Sequence, residues 1–229
     1  MTKKALIVGA GSGLSASIAR LFAHEGMTLA LAARDTDKLA ALCSDTGARA
    51  FACDVSSEAD VAGLFQQLDD ENIMPDVVVY NVGARVKGAI NELDPDAVRQ
   101  VVMTNAFGAF LVARQASQRM LKAGHGALLF TGASAGIKGY PQSAPFAMGK
   151  FALRGLCQSL ARELHPQNIH VAHFVIDGSI YSPTRGGHFS DRDKTLNPDE
   201  IARNYLNILQ QDKSAWTWEI ELRPWVEKF

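Results

Sequence analysis

A surplus of one charge, long apolar runs and paired cysteines are all missing from this chain. Its 229 residues carry 23 basic and 24 acidic side chains, for a net charge of −1. Nucleic-acid binders and binders of acidic membranes need a basic surplus, so this balance argues against both while leaving room for a local basic patch. The three cysteines, Cys43, Cys53 and Cys157, form no CxxC. A disulfide framework or metal cluster is therefore not expected, and a reducing compartment is. The apolar run Ala5-Leu6-Ile7-Val8 stops at Gly9, too short for the core of a signal peptide. No run approaches a membrane span, which gives an expectation of a cytoplasmic protein with no membrane partner. Among the histidines only His170-x-x-His173 has ligand-like spacing, and on a strand those two point to opposite faces, so no metal is expected. Tyrosine is also scarce: Tyr80, Tyr140, Tyr181 and Tyr205 are the four.

What the chain does have is apolar residues, 47% of the total, enough for a substantial core. Short apolar runs alternate with helical patterns. Strands are expected at Ala5–Val8, Thr28–Ala33, Ala48–Ala52, Asp76–Tyr80, Ala127–Thr131, Ile169–Val175 and Trp216–Leu222. Helices are expected at Gly13–His24, Asp37–Ser44, Ser57–Asp70, Asp94–Leu121, Ala144–Leu164 and Asn197–Gln211. Ser57 and Asp60 have capping-box spacing, and Asp94-Pro95 and Asn197-Pro198 read as helix starts. This alternation predicts α/β, a single doubly wound domain over residues 1–229, with a parallel seven-stranded sheet and helices on both faces.

The segment Val8-Gly9-Ala10-Gly11-Ser12-Gly13-Leu14-Ser15-Ala16 joins the first strand to the first helix, the context a dinucleotide fingerprint needs. Absent Cβ atoms let the backbone approach a pyrophosphate, and the helix N-terminus supplies N–H donors. Gly9, Gly11, Ser12, Gly13 and Leu14 are the candidate contacts in this Rossmann-type turn. Two registers fit, Gly11-x-Gly13-x-x-Ala16 and Gly9-xxx-Gly13. The second strand ends Ala32-Ala33-Arg34-Asp35. A carboxylate here would bind ribose hydroxyls, whereas an arginine favours a 2′-phosphate. Arg34 points to NADP, and Asp35 leaves NAD open.

Further landmarks follow in order: Cys53-Asp54-Val55, Tyr80-Asn81-Val82-Gly83, Thr104-Asn105-Ala106-Phe107-Gly108, Gly149-Lys150 and Asp177-Gly178-Ser179-Ile180-Tyr181-Ser182. With them the chain resembles the short-chain dehydrogenase/reductase family over residues 1 to about 183. In that family's TGxxxGxG register, Val8 replaces Thr and Ser15 replaces the third Gly. The resemblance implies that Asp54 and Val55 lie near the adenine, and that Asn81 and Gly83 stand where the family has NNAG. It implies that Asn105 bends the fourth helix and anchors a water to the active-site lysine. It makes Lys150 that lysine, which holds the ribose, and sets Gly178, Ile180 and Ser182 around the nicotinamide. It further implies a small-molecule substrate, and a homodimer or homotetramer built on the two long helices. Residues 184–196 would be the substrate loop. The segment 212–229, with Trp216, Trp218 and Trp225, replaces the usual glycine-rich end.

One departure dominates. Four residues before Lys150 the family keeps its proton-transferring tyrosine, and this chain has Phe146. The family serine position is Ala133, with Ser134 one step on. Phenylalanine has no titratable proton, and losing an acid/base typically costs about 10²–10⁴-fold in rate. Ser134 and Tyr140 are the main relocated-hydroxyl candidates beside Lys150 and Asn105, with Ser143 and Tyr181 also near the expected site. The implied function is an NADP(H)-dependent oxidoreductase acting on a small carbonyl or alcohol with a non-standard active site. The alternative is a non-catalytic NADP(H)-binding sensor or partner subunit.

Overall fold

The four valine-rich residues Val77–Tyr80 are buried on both faces, as a central parallel strand must be. They form β4 of a seven-stranded sheet in the order β3-β2-β1-β4-β5-β6-β7. The strands are β1 Lys4–Val8, β2 Thr28–Ala33, β3 Arg49–Ala52, β4 Val77–Tyr80, β5 Gly126–Thr131, β6 Ile169–Ile176 and β7 Glu219–Leu222. Every pairing is parallel; Leu6, for example, registers with Ala30 on one side and Val78 on the other. The computed structural model describes residues 3–227. Met1, Thr2, Lys228 and Phe229, at the two ends of the expected 1–229 domain, lie outside the described residues.

The helices are α1 Leu14–His24, α2 Ala40–Thr46, α3 Glu58–Asp70, α4 Pro95–Val102, α5 Gly108–Ala123, α6 Ala144–Leu164 and α7 Pro198–Leu209. Leu14, Ile18 and Phe22 of α1 and Ile201 and Tyr205 of α7 share one apolar layer with Leu31, Leu129 and Phe174. The opposite layer sets Leu64 and Phe65 of α3, Val112 and Ala116 of α5 and Leu153 and Cys157 of α6 against Val78, Leu128 and Val171. Each buried leucine or phenylalanine contributes roughly 1.5–3 kcal/mol relative to exposure. Caps form where the sequence places them. Ser57 accepts from the Asp60 amide at 3.2 Å and donates to its carboxylate at 2.8 Å. Asp94 and Asn197 cap α4 and α7. Among the described residues no helix is long and apolar enough to cross a membrane.

Several boundaries differ from expectation. The single helix expected over 94–121 is broken by a π-helical turn at Met103–Phe107, which contains Asn105, the residue at which the resemblance implies a bend. One residue too many in a turn frees a carbonyl. Here the buried Tyr80 hydroxyl donates to that of Thr104 at 2.5 Å. The first turn of the expected 37–44 helix is 3₁₀, and α2 begins at Ala40. The last strand starts at Glu219 rather than Trp216, because Trp216 leaves the ladder to stack on His170 with centroids 4.4 Å apart. Trp218 packs against the core, while Trp225 is exposed.

Candidate active site

The carboxyl ends of the strands carry two groups of residues, one around β1, β2 and β4 and one around β5, β6 and the start of α6. At the first, Gly9 has φ +86°, and a Cβ there would lie 2.6 Å from the Asn81 carbonyl oxygen. Glycine alone satisfies both conditions. A Cβ on Gly11 or Gly13 would meet no protein atom within 4 Å. Their bare Cα atoms leave the backbone at the start of α1 open to a ligand. Leu14 anchors the turn in the core, and Ser12 is exposed. Ser15, seen in the sequence only as a lost glycine, braces the turn. Its hydroxyl donates to the Gly9 carbonyl at 2.9 Å and accepts from the Asn81 side chain at 2.7 Å.

Beside this turn lies a cleft of about 210 Å³ whose walls include Gly9, Arg34, Lys38, Asp54, Val55, Asn81 and Gly83. Lys38 was not singled out from the sequence, although it follows Arg34 by four residues through the 3₁₀ turn. Asp35 instead closes its own turn, accepting from the Asp37 amide at 3.1 Å. Asp54 accepts from the amide and hydroxyl of Ser56 at 2.9 and 2.7 Å. Those bonds hold its carboxyl below the ordinary carboxylate range. A larger hollow of about 390 Å³, walled by His165, Asn168, Lys213 and Trp216, sits at the opposite, amino end of β6.

At the second place Lys150 is buried, and its Nζ donates to the Thr131 carbonyl at 2.9 Å. Burial lowers its pKa to about 8. Phe146 stands one turn earlier on α6, its ring centroid 5.8 Å from Lys150 Nζ. Tyr205 braces the same strand end, its hydroxyl 2.7 Å from Thr131 Oγ1. Asn105 is fully buried in the π-turn. Its side chain donates to the Ala84 carbonyl at 2.8 Å and accepts from the Ala84 amide at 3.1 Å. A Cβ on Gly149 would lie 2.7 Å from Asn105 Cβ, which explains why glycine precedes Lys150 here.

The hydroxyl candidates are not gathered equally. Ser134 opens a one-turn 3₁₀ helix just past β5 and is half-buried. Tyr140 is exposed on the loop before α6, with Lys138 Nζ 5.8 Å from its ring centroid. Gly178, with φ +148°, packs under Pro224. Ile180 bridges to Leu196, and the Ser182 amide donates to the Phe189 carbonyl at 2.8 Å. Tyr181 lies under the Arg192 guanidinium, 4.4 Å from its ring centroid. Within residues 184–196, Gly187–Ser190 and Arg192–Lys194 form 3₁₀ turns.

Sequence reading missed two further groups. His173, which lies under α6, bonds Glu219 through Nδ1 at 3.0 Å, and Arg154 grips Glu219 with two bonds of 2.7 Å. A side chain on Gly132 would collide with the His173 ring, so the loop leading to Ser134 rests on that histidine. No spacing in the sequence signals this network. Arg85, two residues beyond Gly83, has its guanidinium carbon 5.1 Å from the centroid of the Phe146 ring.

Known proteins share this architecture. The chain is 27% identical over 206 residues to a 3-oxoacyl-(acyl-carrier-protein) reductase of Bos taurus, covering 89% of this chain and 83% of that one. A solved short-chain dehydrogenase from Rhodopseudomonas palustris superposes with a TM-score of 0.84 at 36% identity, covering 96% of this chain and 98% of its own. A metagenomic short-chain oxidoreductase solved in complex with NADP gives a TM-score of 0.84 at 25% identity, with 97% of both chains covered. Residues 3–192 match the family described as short chain dehydrogenase, and the chain belongs to it.

Proposed function

We propose that this chain is an NADP(H)-dependent oxidoreductase of the short-chain type, acting on a small carbonyl or alcohol through a non-standard active site. The observation that carries the cofactor reading is the cleft beside the glycine turn. Arg34 and Lys38 both line it, while Asp35 is not among its walls and accepts from the Asp37 amide. Two cations suit a 2′-phosphate. The open backbone at Gly11 and Gly13 fits a pyrophosphate. The NADP complex of the metagenomic relative supports the same choice. NAD is the weaker alternative.

A bound NADPH would supply the hydride that reduces a carbonyl. The protein's own part in this reading falls to Lys150, whose burial loosens its proton, with Asn105 fixing the loop opposite it. Ser134 and Tyr140 are the hydroxyls that orient the reacting oxygen. Gly178, Ile180 and Ser182 flank the nicotinamide. Exposed Phe107 and Phe110 at the α5 end, and Met148 and Phe151 on α6, support a homodimer or homotetramer through those helices.

The second reading, a non-catalytic NADP(H)-binding sensor or partner subunit, is favoured by one specific observation. Phe146 occupies the acid position, and Lys150 is tied to a main-chain carbonyl beside it. Fluorescence titration with NADPH and NADH followed by a carbonyl and alcohol panel separates the two. Binding with turnover supports the enzyme, and binding without turnover supports the sensor. No binding of either nucleotide overturns both.

A further inference from the structure

Arg85 stands at the reacting corner and takes no part in the functions assigned above. It follows Ala84, whose amide and carbonyl are both held by the buried Asn105 side chain. That pair of hydrogen bonds fixes the backbone from which Arg85 projects. The side chain is open to solvent, as a residue that meets a diffusing ligand must be. Its guanidinium packs against Phe146 and donates from Nη2 to Ser143 Oγ at 3.4 Å. Among the described residues no carboxylate pairs with it.

Ser143 supplies an independent observation. It is only 2% exposed and stands at the N-cap of α6. A serine there ordinarily accepts from a first-turn amide, yet its side chain makes no such bond. The hydroxyl is aimed at the guanidinium instead, at the outer limit of hydrogen-bond distance. A buried hydroxyl normally finds a better partner. The first turn of α6 holds no acidic residue, so its free N–H groups and positive dipole end are uncompensated. Lys150 adds a second cation near the same Phe146 ring.

We propose that Arg85 and Ser143 form an anion subsite at the start of α6, and that the substrate is an oxo acid or hydroxy acid whose carboxylate binds there. The guanidinium fork matches a carboxylate with two parallel bonds, and the Ser143 hydroxyl gives a third donor. Phe146 then has a role of its own: it is the surface on which Arg85 rests. The carbonyl half of this assignment rests on the oxidoreductase reading; the acid half rests on Arg85 and Ser143.

The test measures binding by calorimetry, with and without NADPH, using pyruvate, acetoacetate and levulinate against their methyl esters. At least one acid should bind ten times more tightly than its ester. Arg85→Met should erase that preference while leaving NADPH affinity unchanged, which also shows that the variant folds. Arg85→Lys should retain part of the preference, and Ser143→Ala should weaken acid binding several-fold. Equal binding of acids and esters, no binding of any acid, or a preference that survives Arg85→Met overturns the proposal. Failure of NADPH to bind overturns the oxidoreductase reading instead, and the acid–ester comparison on the nucleotide-free protein still decides the subsite.

Discussion

The two groups of residues at the carboxyl ends of this sheet have fared differently. Around β1, β2 and β4 the turn is tightly specified. Gly9 permits a close backbone approach, Ser15 and Asn81 lock it, and Arg34 and Lys38 line the cleft beside it. At the start of α6 the supporting frame is equally well built, with Lys150, Asn105 and Thr131 all bonded, yet the ring that meets them has no hydroxyl. A nucleotide frame is spread over many backbone positions, and it fails only at those few, such as Gly9, where an added Cβ collides. Acid/base chemistry at a given position depends on one proton at one atom, and a phenylalanine there has none to give.

The largest expected effect comes from giving the second place what it lacks. Phe146→Tyr should raise NADPH-linked carbonyl turnover by roughly 10²–10⁴-fold, the usual worth of a positioned acid. An unchanged rate would mean that the corner differs by more than this one ring. Gly9→Ala probes the other place. A Cβ at a positive φ and against Asn81 should cost about 3 kcal/mol in urea unfolding and abolish NADPH binding. A variant as stable as the parent would show that the turn is looser than its geometry.

Lys150 offers a comparison by pH. Its folded pKa of about 8 lies below the ordinary 10.5. Between those values the unfolded chain binds more protons, so the nucleotide-free protein should gain stability as pH rises from about 8 to 10.5. The gain should reach roughly 3 kcal/mol. Below that window the buried ammonium's full cost is present. Lys150→Met should flatten the profile, and parallel profiles would show that the ammonium is not strained by burial. The smallest effect is expected at the cleft wall. Arg34→Ala should weaken NADPH about 10–100-fold and NADH less than about two-fold, consistent with a charge-assisted phosphate contact. Equal losses for both would place Arg34 away from the 2′-phosphate.

The two places also differ in how far the sequence reveals them. The strand order and the glycine turn follow from apolar runs, caps and glycines, whose effects are local. Phe146 is equally legible, because it is one residue at a fixed spacing from Lys150. The place of Lys38 in the cleft and the bracing bonds of Ser15 are not legible in the sequence, because both arise from how a turn folds back on itself. Arg85 and the His173–Glu219–Arg154 network escaped because their partners lie 46 to 65 residues apart in the chain. The π-turn at Met103–Phe107 has no periodicity that marks it, since it depends on the Tyr80 hydroxyl reaching the Thr104 carbonyl.

The separation between frame and chemistry is tested most directly by titrating NADPH and NADH into the native protein and Phe146→Tyr, followed by fluorescence. NADPH should bind at least ten times more tightly than NADH, with the same affinity in both proteins, because residue 146 is not among the walls of the cleft beside the glycine turn. No binding of either nucleotide to the native protein, or tight NADPH binding only after the tyrosine is restored, would contradict it.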